Sequence, residues 1–381
     1  MKTLFFLALL IPLLSPAQTA SQCDPEAQEI REATASKRLH ALIKNKQFSA
    51  IEDELGDKLS RYERGEYSDL TLFWDITATV SGDPSLEPLL QEWVAARPDS
   101  FFAHLLKGEH HSTMGYAKRG DDLAAATSKE QFAAMAAEFS KANSAFRKAA
   151  SLRPKSALPL AGLITIARAS DGIRRTHELL AQANRADPAN TSARWAAVHA
   201  LAPKWAGSFD DMDEIARQAL RVKLPDAKVR YLRYSIEMRK ADHFNVITKE
   251  KTKAIFHWEN AAQLCGGARP WRLISSASYD LEDWVTLKQA STQLLLFAPR
   301  DAGAVARRGW ADEKMGQIEG ALKDYALAAE FGDAWAQNRL GYFLMVGQHA
   351  PKDLRRAKQL LEAAAAQGNA NARANLDALG K

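Results

Sequence analysis

Cysteine is nearly missing from this sequence of 381 residues: Cys23 and Cys265 are the only two. A pair without metal-ligand spacing excludes a cysteine-built zinc fold and a dense disulfide framework. In an oxidising compartment the two thiols are expected to join, and so long a loop would contribute up to about 5 kcal/mol of chain entropy; two unpaired thiols are the alternative. Alternating Val/Ile/Thr stretches are also missing, so the sequence carries no signal of a sheet. No run of five like charges occurs, and the formal net charge is only +5. Nucleic acid, which calls for a clustered basic face, is therefore not an expected partner. The sequence has no GxSxG elbow, phosphate loop, dinucleotide fingerprint or metalloprotease HExxH helix. From these absences we expect no catalytic residues, no cofactor and no metal.

One apolar run stands at the start. Lys2 precedes an uncharged stretch from Leu4 to Leu14, followed by Ser15-Pro16-Ala17. A basic start, a short apolar segment and small residues read as an export signal over residues 1–20, cleaved near Ala17 or Ala20. The run is too short to span a bilayer as a helix. The mature protein is expected to be secreted or periplasmic, with no stable membrane insertion.

What fills the rest is helix. Over 127–154, Phe132, Met135, Phe139, Ala142, Phe146 and Ala149 recur at steps of three and four, which builds one apolar face. Thr127 with Glu130 reads as a capping box at its start, and Pro154 ends it. Arg97-Pro98-Asp99-Ser100, Arg153-Pro154-Lys155-Ser156, Asp187-Pro188-Ala189-Asn190 and Ala298-Pro299-Arg300-Asp301 place a proline after one helix and a capping residue before the next. Pro154 and Pro188 lie 34 residues apart, the period of tetratricopeptide helix pairs. Near the end, an offset of 36 superposes Ala328 on Ala364, Gly332 on Gly368, Ala336 on Ala372 and Leu340 on Leu376. Each copy ends a helix at a glycine and restarts at Asp333 or Asn369. Such a unit cannot bury its apolar face alone and must stack on its neighbours. The expected fold class is all-α, an α/α superhelical array of antiparallel helix pairs.

Two resemblances follow from these residues. Leu340-Gly341, Gly347, Ala357, Ala364-Ala365, Gly368 and Ala372 make the stretch 291–381 similar to Sel-1-like repeats, relatives of the tetratricopeptide repeat. RPDSFFAHLLKGEHHSTMGYAKRG, FRKAASLRPKSALPLAGLITIARA and ALAPKWAGSFDDMDEIARQAL resemble a bacterial family known as domain of unknown function 4034, over roughly residues 35–225. Ala206 stands where that resemblance implies glycine. The resemblance implies a helical domain in secreted bacterial proteins, often joined to Sel-1-like repeats, and it implies no activity. The expected organisation is a signal over 1–20, an N-terminal helical domain over 21–225, connecting helices over 226–290 and repeats over 291–381.

Four residues are candidates for binding. Trp205, in Pro203-Lys204-Trp205-Ala206-Gly207-Ser208, is either a plug between helices or an aromatic anchor on a ligand surface. Lys204 adjoins it. Ser208 with Asp211 reads as a capping box for the helix that follows. Arg119 ends a helix before Gly120 and suits anionic or aromatic partners. His111 shares a helix face with His104, Gly108 and Gly115. That face reads as close helix packing rather than a metal site, because no Cys or Asp completes a ligand set nearby. The nine tryptophans are expected mainly to pack between helices. The carboxylates read as solvated helix exteriors.

With a repeat surface and no catalytic motif, the expected function is a scaffold that binds a protein or peptide partner in the cell envelope. The alternative is an enzyme acting on a cell-wall or envelope polymer through a pair of carboxylates in a cleft.

Overall fold

The structure, a computed structural model, describes residues 36–80, 82–120, 126–170 and 172–379. The described residues form helices and turns with no strand. They fall into two compact units that divide between Leu264 and Cys265. Cys265 is buried, whereas Cys23, the export signal and its cleavage site lie outside the described residues, and the expected pairing lies outside with them. No helix among the described residues is long and apolar enough to cross a membrane.

The first unit holds α1 (36–44), α2 (Phe48–Glu63), α3 (Asp69–Val80), α4 (Glu87–Ala96), α5 (Phe101–Arg119) and α6 (Lys129–Leu152). It continues with α7 (Leu158–Ser170), α8 (Gly172–Ala186), α9 (Ser192–Ala200), α10 (Phe209–Arg221), α11 (Asp226–Asp242) and α12 (Lys251–Cys265), which runs up to the division. The α5–α6 pair is its most extensive helix contact. The predicted apolar face of α6 is its buried face: Met135, Phe139, Ala142, Phe146 and Ala149 are all enclosed. The cap differs by one residue from the expectation at Thr127 and Glu130. Ser128 is the N-cap, and Ser128 and Gln131 satisfy each other's backbone reciprocally. Thr and Glu offer the same chemistry one position earlier, so pattern alone does not separate the two registers.

Close approach of α5 to α6 rests on glycine. A Cβ on Gly115 would lie 2.5 Å from Cε1 of Phe139. The expectation that Gly108 and Gly115 mark a packing face is met.

The second unit holds α13 (Ala268–Asp280), α14 (Trp284–Phe297), α15 (Ala302–Lys314), α16 (Ile318–Glu330), α17 (Ala334–Val346), α18 (Leu354–Ala366) and α19 (Ala370–Leu379). Each helix packs on the next, with α13 also touching α15 and α17 touching α19. That nearest-neighbour pattern is the physics of a helical repeat: each pair covers the apolar face of the one beside it. Gly332 and Gly368 have φ of +90° after their helices, as expected. Asp333 and Asn369 then accept from the backbone amides of Ala336 and Ala372. Small residues let the helices close up: Ala321, Ala328, Ala336, Ala357, Ala364 and Ala372 are buried. Between the repeats Trp284, Trp310 and Trp335 meet edge to face, with centroids 6.5 and 5.1 Å apart. Inter-helix packing is thus the main role of the tryptophans, as with the fully buried Trp93 and Trp258 of the first unit.

Candidate functional site

Two clusters in the first unit bring chemically active side chains together. The first is built on the Trp205 turn. Pro203–Trp205 form one turn of 3-10 helix between α9 and α10. Ala206 follows in the left-handed region, φ 69° and ψ 10°, which is the physical reason for a glycine preference at that position. Gly207 is required: a Cβ there would lie 2.0 Å from the Leu201 carbonyl oxygen. Ser208 then caps α10, accepting from the Asp211 amide. A proline, a left-handed residue, a glycine and a cap hold the indole in place.

The C-terminal ends of α5 and α7 deliver two arginines to that indole. The Arg119 guanidinium lies 5.7 Å from the Trp205 ring centroid, and that of Arg168 lies 5.4 Å away. Lys204 adds its ammonium at 5.7 Å. Cations at helix C-termini are favoured by the helix dipole. Arg168 is further fixed by donating to the Tyr116 hydroxyl at 2.7 Å, and that hydroxyl donates to the Thr165 carbonyl. The Arg119 carbonyl accepts from Gln131, which ties the end of α5 to the start of α6. Loss of solvent around Lys204, with Arg239 and Arg168 nearby, pushes its pKa below the ordinary lysine value. Asp242 acts in the opposite direction but is paired with Arg239 at 3.2 Å. Among the described residues no carboxylate forms an ion pair with Arg119, Arg168 or Lys204. Trp205 is half-buried, and its indole N–H has no acceptor among the described residues. Of the four predicted binding residues, Arg119, Lys204 and Trp205 are therefore brought together.

The fourth is not. His111 is buried in the α5–α6 interface, where its Nδ1–H donates to Glu138 Oε2 at 2.7 Å. Lys118 holds the other oxygen of Glu138, and Lys141 lies 3.5 Å from it. Burial raises the Glu138 pKa, but the bonds from Lys118 and His111 outweigh it and hold the carboxyl down at about 2. Beside His111, His110 is 1% exposed, and neither ring nitrogen makes a hydrogen bond of full geometry among the described residues. The Val80 backbone acts on the His110 ring in the direction that favours protonation. Burial lowers the pKa of both imidazoles, which keeps them neutral. Glu109 is turned the other way, onto the Thr77 hydroxyl at 3.2 Å, and burial pushes it up to about 8. From α4, Glu87 completes a cluster: one ligand atom each from Glu87, His110 and His111 lie within 4.8 Å of one another.

Several of these carboxylates correct the expectation of solvated helix faces. Asp69, Asp75, Glu109 and Glu138 are buried, and each is hydrogen-bonded. Glu138 had a signal in the sequence, since it sits on the apolar phase of α6 between Met135 and Phe139. Glu87 had none, because it reaches the histidines only through the packing of α4 near α5.

The chain is similar to helical repeat proteins of solved structure. The human IFIT1 dimer with PPP-AAAA is 13% identical, over 87% of this chain and 78% of that one, with a TM-score of 0.36. The protective antigen c5321 of uropathogenic Escherichia coli, which displays an SLR fold, is 16% identical over 88% and 81%, with a TM-score of 0.33. A Sel1 repeat protein from Oxalobacter formigenes is 16% identical over 85% and 89%, with a TM-score of 0.25. No curated protein matches the chain. The stretch that supplies both arginines beside Trp205 and the whole histidine cluster has its own match: residues 35–172 fit the family model DUF4034, domain of unknown function.

Proposed function

We propose that this protein is an exported helical-repeat scaffold that holds an acidic peptide segment of a partner protein in the bacterial cell envelope. The observation that carries the reading is the convergence of Arg119, Arg168 and Lys204 on Trp205, with no carboxylate among the described residues ion-paired to them. Three cations around one ring repel one another, and an arriving carboxylate relieves that repulsion. The ring supplies an apolar contact, and the arginines supply fork-shaped donors matched to carboxylates. The repeat unit adds the kind of surface on which helical arrays bind extended partners.

The test is selection from a displayed random peptide library on the mature protein, followed by affinity measurement on the enriched peptides. Enrichment of Asp- and Glu-rich sequences is expected. Affinity should fall about tenfold or more, near 1.4 kcal/mol, in the paired variant Arg119→Ala/Arg168→Ala and in Trp205→Leu. A library returned without acidic bias, or one bound equally by both variants, would overturn the reading. Export is tested separately, by fusing the first 25 residues to a reporter that works only outside the cytoplasm.

A further inference from the structure

We propose that Glu87, His110 and His111 form a binding site for a divalent transition-metal ion of the zinc class, with one coordination position open to the neighbouring pocket. Three features of the fold support it. The donor set is two imidazoles and one carboxylate, which suits zinc and leaves the fourth position of a tetrahedron free. His110 is buried, and among the described residues neither ring nitrogen makes a hydrogen bond of full geometry although the Val80 backbone acts on the ring, an arrangement that costs stability unless something occupies the lone pair. Glu138 does for His111 what an outer carboxylate does in metal sites: it accepts from Nδ1–H, fixes the tautomer and leaves the Nε2 lone pair for a metal.

The geometry needs only a small adjustment. Ligand atoms around a tetrahedral zinc stand about 3.4 Å apart, against the 4.8 Å limit that encloses these three. The Glu87 side chain is 34% exposed and is held through one oxygen only, so a change of rotamer is open to it. Its Oε1 already takes Lys141 at 3.1 Å and Gln91 at 3.3 Å, which leaves Oε2 for the ion. A pocket of about 530 Å³ opens beside Glu87 and His111, with Lys107, Lys141 and Lys148 in its wall. Water or a small anion drawn by those lysines would take the fourth position.

The full chain, stripped with a chelator, is titrated with Zn²⁺ by calorimetry and with Co²⁺ by visible absorption. One ion per chain is expected, with the intense cobalt bands of a four-coordinate site. Glu87→Gln should weaken binding about a hundredfold or more, and Glu138→Gln, a positioning change, roughly ten- to a hundredfold. His110→Gln should abolish the cobalt bands. Glu87 is half-exposed, so its variant remains a valid test even where a histidine variant fails to fold. Trp205→Leu should bind metal like the parent, which separates this site from the peptide site. Absence of saturable binding in the micromolar range, or binding unchanged in Glu87→Gln, would overturn the proposal.

Discussion

The ring of Phe146 lies flat against the backbone at Gly108: a Cβ at that position would fall 2.5 Å from both Cδ1 and Cε1. Gly162 of α7 approaches the same ring from another helix, where a Cβ would lie 2.3 Å from Cζ. One phenylalanine of α6 thus fills the space that two glycines leave, and it sets how closely α5 and α7 approach α6. Because the ring is fully enclosed, an added methyl has nowhere to go. Gly108→Ala should destabilise by about 1–3 kcal/mol, read from the urea unfolding midpoint. Gly108→Ala combined with Phe146→Leu should cost less than the sum of the two single changes, because the smaller side chain yields the room. Simple additivity would show that the contact is not the cause.

The turn before α10 offers a change in the opposite direction. Ala206 holds a left-handed conformation that costs an L-residue about 1 kcal/mol. Ala206→Gly should therefore raise stability by up to about 1 kcal/mol, less the extra chain entropy of glycine. Gly207→Ala should lower it by about 2 kcal/mol or more, because the Cβ meets a carbonyl that cannot step aside. A thermal melt of each variant decides both. Ala206→Gly below the parent would contradict the strain argument.

Asp69 caps a helix from far away in sequence. Its Oδ2 accepts from the backbone amides of Thr191 and Ser192 at 2.6 and 2.8 Å, at the start of α9. Lys228 lies 3.6 Å from its other oxygen. Asp69→Ala removes two charge-assisted bonds and leaves buried amides without an acceptor, so a loss of about 3 kcal/mol is expected. Hydrogen exchange should show the amides of 191–195 unprotected first. Uniform loss of protection across the unit would contradict a capping role.

In the repeat unit, Glu313 accepts from the Tyr325 hydroxyl at 2.7 Å and from Arg339 Nε at 2.9 Å. Burial raises its pKa, but these bonds outweigh it and hold the carboxyl below its ordinary value of 4.5. A carboxylate depressed on folding stabilises the fold above the unfolded pKa, and that contribution is lost as pH falls through the folded one. The stability gap between the parent and Glu313→Gln should therefore be widest near neutrality and shrink as pH drops below about 4.5. A gap independent of pH would show that the carboxylate charge is not involved.

Helix positions, their apolar faces and their ends were legible in the sequence because they depend on neighbours along the chain. A step of three or four residues marks a face whatever that face meets; a glycine ends a helix through its own backbone, and an aspartate starts one through its side-chain oxygen. At the start of α6 the pattern points one residue early for the same local reason, since two adjacent positions offer equivalent chemistry. The Trp205 site was half legible. Arg119, Lys204 and Trp205 stood out as a helix end and a structured turn, but Arg168 looked like any arginine on an amphipathic helix.

By itself the sequence determined an all-helical chain with repeats at its C-terminal end, because local periodicity and backbone preference suffice for that. Tertiary structure alone decided which charges are buried and what meets them. Whether Glu138 faces water or His111, and whether Glu87 comes within reach of two histidines, depends on how helices pack across the core. Packing is settled by side-chain shape, Phe146 against Gly108 and Gly162 foremost, and that three-body fit leaves no periodic mark along the chain.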